Sequence, residues 1–277
     1  MTFKPFIGFD NAFDENSTAS ISVASGGGTL TNKTDLNKIK NRSLQDKYIF
    51  NLSAAGNVEI ILTDLNHNVD FGQYLCLMNL DFRLSASVTF EFYLNGTLQT
   101  HAVEVLIKKN IYIEYGNISA HRCYYFISEL NFDEVRITLN GVNDPLTDYS
   151  LGNVYIGGLE YLSIKPNMKI TSIDRSKTDE SNGGQKYAQE GVISEVVNVE
   201  TNPLPSYETF IESASIKYIN QKVGTFKPVV FIPSSDEAST LYYGALTKPI
   251  EFTQIKAKEK STGNWLWTAK FQIEEEL

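Results

Sequence analysis

The residues best equipped for chemistry are few and widely spaced. His67, His101 and His121 stand far apart, and none belongs to an HxxH or HExxH pattern that would bring two imidazoles to one metal. Asp174 and Ser176 set a carboxylate near a hydroxyl, as a nucleophile pair would. No histidine sits in a hydrolase-like motif, however, and the chain has no Gly-x-Ser-x-Gly elbow. Asp10, Asp14 and Glu15 offer oxygen ligands for calcium but lack the alternating spacing of an EF-hand loop, so a solvated acidic turn is expected. Gly26-Gly27-Gly28 has neither the Lys-Ser/Thr nor the strand-to-helix setting of a phosphate loop. The 33 acidic residues supply many carboxylate pairs for glycoside hydrolysis and single out none. The expectation is therefore a protein that is not an enzyme, with no catalytic residue, metal ligand or cofactor.

The remaining reactive groups, Cys76 and Cys123, fall inside the apolar runs YLCLMNL and RCYYFI. Their simplest role is that of small buried hydrophobes, with a disulfide as the alternative.

The elements that carry these residues must come from a chain of 277 residues, 42% of them hydrophobic, which is enough to bury one large or two modest cores. Lys and Arg number 24 against 33 Asp and Glu, a net charge of -9 that argues against nucleic acid or an anionic membrane as a partner. The N-terminal MTFKPFIGFDNAF has no apolar leader, and no run of about 18 apolar residues occurs. A soluble chain made in the cytosol, without membrane insertion, is expected.

From Tyr48 onward the chain reads as short runs rich in Val, Ile, Phe and Tyr: YIFNL, NVEIILTDL, GQYLCLMNL, ASVTFEFYLNG, NIYIEYGN, RCYYFISEL and EVRITLN. Val88, Phe90 and Phe92 alternate with Thr89, Glu91 and Tyr93, and Val135, Ile137 and Leu139 repeat that pattern, giving strands with one buried face. Asn79, closing an apolar run, is expected to bond neighbouring backbone and set a turn. Residues 206–223 form the predicted helix. Ser206 is its N-cap, Tyr207, Phe210, Ile211, Ala214 and Tyr218 share one face, and Gly224 stops it. Runs at 249–257 and 264–273, joined by Glu259 to Gly263, predict a terminal hairpin on which Trp265 and Trp267 share a face.

The fold class expected is mainly β: an N-terminal jelly-roll β-sandwich over 1–150, then a smaller α+β region over 151–277 with one helix packed on a sheet. The apolar strand of Val154 to Ile164, interrupted by Gly157-Gly158, lies at the join. Beyond it the run Asp174 to Lys186 has almost no apolar residue, cannot bury a core, and is expected to be an exposed arm that a partner orders.

The stretch VEIILTDLNHNVDFGQYLCLMNLDFRLSASVTFEFYLNG, within a match over Ile21 to Asn140, resembles galactose-binding-like (discoidin-type) jelly rolls, and more narrowly those of tail-tip and baseplate proteins of tailed bacteriophages. The block VYIGGL, then Asp174-Arg175-Ser176 and Gly183-Gly184-Gln185, is similar to an exposed loop of the same proteins, with Ala188 to Glu200 as the returning strand. The order of helix, FKPVVFIP strand, Tyr-Gly strand and terminal hairpin extends the likeness to the C-terminus. The resemblance implies a virion structural component that contacts other tail or baseplate proteins and forms a homo-oligomeric ring or collar. Its contact residues would be Asp174, Arg175, Ser176, Asp179, Gly183, Gly184 and Gln185. The alternative is a carbohydrate-binding module of an adhesin recognising host surface glycans, for which Tyr112, Tyr115, Tyr124, Tyr125 and Trp265 are the available aromatics.

Overall fold

The computed structural model describes residues 5–9, 11–13, 16–26, 28–40, 46–65, 74–83, 87–100, 103–114, 117–126, 131–142, 148–165, 168–175, 177–180, 186–189, 193–210, 216–233 and 240–275. The fold is mainly β and its sheets are antiparallel. The chain forms two compact units. The first takes the described residues of 10–159 and 232–241, and the second those of 4–9, 160–231 and 242–277.

In the first unit two sheets share a hydrophobic core, a β-sandwich-like arrangement. The five-stranded sheet runs in the order Thr18–Gly26, Gly56–Thr63, Glu134–Val142, Ser87–Leu94, Thr97–Gln99. Its inward set includes Val58, Ile60, Leu62, Phe90, Phe92, Val135, Ile137 and Leu139, the alternation seen in the sequence. The seven-stranded sheet runs Leu30–Asn32, Tyr48–Leu52, Tyr149–Leu151, Tyr74–Arg83, Asn117–Phe126, Val103–Glu114, and Asn153–Gly157 also pairs with Tyr74–Arg83. Leu75, Leu77 and Leu80 reach the shared core, while Tyr74, Cys76 and Met78 are equally buried. Burial of consecutive side chains explains why this strand reads as a continuous apolar run with no alternation.

Asn11 acts as a substitute for a strand residue beside Asn153–Gly157. Its Nδ2 donates to the Val154 carbonyl at 3.3 Å, and its Oδ1 accepts from the amides of Ile156 at 2.9 Å and Phe13 at 3.2 Å. Gly28 has φ +66°, and a Cβ there would lie 2.3 Å from the Ser53 hydroxyl. That hydroxyl accepts the Thr29 amide at 2.8 Å, so Gly28 serves a tight turn.

The second unit holds a nine-stranded sheet, ordered Leu159–Tyr161, Phe6–Gly8, Pro228–Ile232, Tyr242–Leu246, Trp265–Glu275, Ile193–Glu200, Lys169–Asp174. Trp265–Glu275 is its hub: Leu204–Pro205 and Glu251–Lys258 pair with it as well. Gly244 has to be glycine, because a Cβ there would stand 1.9 Å from the Glu274 carbonyl oxygen. The predicted hairpin forms, closed by the Glu259 amide on the Asn264 carbonyl at 2.8 Å, with Gly263 at φ +71°.

The expected helical region is described in two segments. Helix occurs at Ser206–Phe210 and at Ile216–Val223, and Ile211 and Ala214 lie outside the described residues. The face that enters the core is Ile216, Ile219 and Val223, together with Val197, Val229, Phe231 and Phe271. Tyr218 instead meets Phe9 edge-on at 6.0 Å. Gly224, at φ +58°, ends the helix as expected, its amide bonding the Asn220 carbonyl at 3.0 Å.

The apolar run at the join is also two elements. Asn153–Gly157 belongs to the first unit's sheet, Leu159–Tyr161 belongs to the second's, and Gly158 stands between them.

Candidate functional site

The strand Lys169–Asp174, sequence KITSID, is exposed at every residue. Its β-branched Ile170, Thr171 and Ile173 favour extended backbone, and it pairs antiparallel with Ile193–Glu200 from Lys169↔Asn198 to Asp174↔Ile193. It ends the strand order of the nine-stranded sheet, so its outer backbone edge has no neighbouring strand among the described residues. Ile170 is 42% exposed and Ile173 37% exposed. Three positions apart, they point to opposite faces of the strand.

The same two chain segments pair again further out. Lys177–Glu180 and Lys186–Gln189 form a two-stranded ladder from Lys177↔Gln189 to Glu180↔Lys186. The first ladder advances three residues from Asp174 to Lys177 while the return advances four from Gln189 to Ile193, a one-residue mismatch between the ladders. Arg175 sits at that mismatch. Its guanidinium pairs with the Glu274 carboxylate, and its Nε donates to the Ser194 hydroxyl at 3.3 Å.

Of the expected contact residues, Asp174 and Arg175 therefore lie at the base of a β-ribbon, and Asp179 lies in its outer ladder, opposite Tyr187. Ser176, Gly183, Gly184 and Gln185 lie outside the described residues. The polar run does form structure of its own, because a β-ladder satisfies backbone groups without needing a core. The expected returning strand, Ala188 to Glu200, is described as strand at Lys186–Gln189 and Ile193–Glu200.

A second polar surface covers the outer face of the five-stranded sheet. The register sets Ser20, Ile61, Arg136 and Glu91 in one row and Ser22, Glu59, Thr138 and Thr89 in the next. The Arg136 guanidinium lies 4.3 Å from the centre of the Tyr93 ring and its Nε donates to Glu134 at 2.6 Å. The Tyr93 hydroxyl donates to Glu91 at 2.7 Å. That hydrogen bond, more than any other influence, raises the Tyr93 pKa, and the bond to Glu134 raises that of Arg136.

The aromatics expected to serve glycans are distributed unevenly. Tyr124 is buried, 4.6 Å from Phe90, and belongs to the core. Trp265 is 45% exposed, with the Lys258 ammonium 4.8 Å from its ring centre. Tyr115 lies outside the described residues, as do the side chains of Tyr112 and Tyr125.

Asp10, Asp14, Glu15, His67 and His101 also lie outside the described residues. Among the described residues no three His, Cys, Asp or Glu side chains group as a metal site, and no helix is long and apolar enough to cross a membrane. His121 is fully buried and its Nδ1 accepts the Asn79 amide at 3.0 Å, a structural role. Compared with protein families, with curated proteins and with solved structures, the chain finds no match.

Proposed function

We propose that this chain is a non-enzymatic structural component of a bacteriophage virion, in the tail tip or baseplate, whose N-terminal sandwich is a galactose-binding-like jelly roll. The observation that carries the assembly role is the ribbon at Lys169–Asp174, exposed on both faces, carrying an isoleucine on each and ending the sheet order. An exposed edge strand of this kind is a template for strand addition, which gives backbone hydrogen bonds to a neighbour and side-chain contacts on both faces. The neighbours are other tail or baseplate proteins, or further copies of the chain in a ring or collar. Mass spectrometry of purified virions and light scattering of the purified chain test this. Absence from virions together with a strictly monomeric chain rejects it.

A second reading, a carbohydrate-binding module for host surface glycans, is favoured by the outer face of the five-stranded sheet. There hydroxyls, carboxylates and Arg136 stacked on Tyr93 lie side by side on neighbouring strands. Glycan-array binding that Tyr93→Ala abolishes supports it, and an array with no signal rejects it.

A further inference from the structure

We propose that Cys76 and Cys123 are a cross-strand disulfide site, two thiols in the reduced chain and one covalent bond when the chain folds in the presence of a disulfide oxidant. This inference stands independently of the virion reading. The two residues are direct partners in the antiparallel pairing of Tyr74–Arg83 with Asn117–Phe126, and both are fully buried free thiols.

Directly opposite residues of an antiparallel pair have Cα atoms about 4.5 or 5.5 Å apart, and both values fall in the range of about 4.4–6.8 Å that a disulfide spans. Opposite residues also project to the same face, with Cβ atoms about 4.5–5.5 Å apart against a disulfide mean of about 3.8 Å, so closure needs an approach of about 1 Å. A register irregularity between Ala120 and Arg122 interrupts the ladder next to the pair. The chain contains 2 cysteines, so no rival pairing exists within it.

Burial and the contact with Cys123 hold the Cys76 thiol well above its ordinary pKa, which makes it a poor nucleophile once the sheet is complete. The site therefore closes while the strands assemble. With oxidised glutathione, one cysteine thiolate attacks the glutathione disulfide and expels a glutathione thiolate. The second cysteine thiolate then attacks the mixed disulfide and expels the other. Two protein thiols are oxidised, and one glutathione disulfide is reduced to two thiols.

The test is to unfold the chain in denaturant, refold it with oxidised glutathione, alkylate residual thiols and map peptides without reduction. A linked Cys76–Cys123 peptide, a chain mass lower by two hydrogens and an unfolding midpoint above that of the reduced chain and of Cys123→Ser are expected. A refolded chain with both cysteines alkylated, or each carrying glutathione, overturns the proposal. If oxidative refolding yields aggregate, the reduced chain is held at its unfolding midpoint with a small azo oxidant, which accepts the two hydrogens as the strands open and re-form. Two thiols surviving there overturn it equally.

Discussion

The backbone amide of Asn79 donates to Nδ1 of His121 at 3.0 Å across a one-residue mismatch between two buried strands. Ala120 pairs with Leu80 and Arg122 with Leu77, so Met78 and Asn79 oppose His121 alone. The extra residue takes φ +51°, where asparagine is better tolerated than other side chains, and the neutral imidazole accepts the amide that the ladder leaves over. His121→Ala removes that acceptor from a buried donor and is expected to lower stability by about 1–3 kcal/mol. Asn79→Gly is expected to fold well and Asn79→Val to be strongly destabilised. Urea denaturation orders the three variants, and a His121→Ala midpoint equal to the parent contradicts this account.

Gly244 and Gly96 predict losses of different size from the same substitution. A Cβ at Gly244 meets the Glu274 carbonyl at 1.9 Å in a central pairing, whereas Gly96, at φ +74°, has nothing within 4 Å. Gly96→Ala should cost about 1–2 kcal/mol for its left-handed backbone alone. Gly244→Ala must displace backbone and should exceed about 3 kcal/mol or prevent folding. Melting curves and soluble yield provide the comparison, and equal effects would refute the close-approach reading.

Asn11→Ala removes both halves of the amide that imitates a strand residue, and is expected to cost about 1–3 kcal/mol. Asn11→Asp keeps the acceptor for Ile156 but loses the donor to Val154, so its midpoint should fall below the parent as well. Hydrogen exchange at the Ile156 amide is the local readout. Unchanged protection in Asn11→Ala would show that the side chain does not hold this strand.

Arg175 pairs with Glu274 at the surface, with side chains 54% and 33% exposed. Exposed pairs contribute about 0–1 kcal/mol, so Arg175→Ala should leave the melting temperature nearly unchanged. Its effect should be local: faster amide exchange in 170–174 and weaker association with any strand-adding neighbour. A large drop in global stability would make Arg175 a structural residue and count against the proposed role in assembly.

Glu200 lies between two ammonium groups, Lys165 and Lys270, and its pKa is lowered, first by the hydrogen bond from Lys165. A carboxylate depressed in the folded chain contributes stability above its unfolded pKa and loses it as pH falls through the folded value. Stability should therefore decline as pH drops below the ordinary value of 4.5, and Glu200→Gln should flatten that decline. Denaturation midpoints from pH 7 downward, in parent and variant, provide the check. Parallel curves would exclude the linkage.

Much of the β architecture was legible because a half-buried strand writes its faces into alternate residues. Val88, Phe90, Phe92 and Val135, Ile137, Leu139 specify their inward side by period alone. The helix was harder to read. Its apolar residues fit more than one face, and packing against Phe231 and Phe271 selected Ile216, Ile219 and Val223. The polar run after Ile173 reads as coil when hydrophobicity is the signal, since backbone pairing between Lys177–Glu180 and Lys186–Gln189 leaves little mark on composition.

By itself the sequence determined which runs extend, which residues turn the chain, and that Cys76 and Cys123 are buried, because local conformation and hydrophobicity are properties of neighbouring residues. Tertiary structure alone decided that Cys76 faces Cys123, that Asn79 lies at a bulge completed by His121, and that Lys169–Asp174 ends its sheet. Each depends on which strand lies beside which and in what register, and a shift of one residue would move every side chain to the other face.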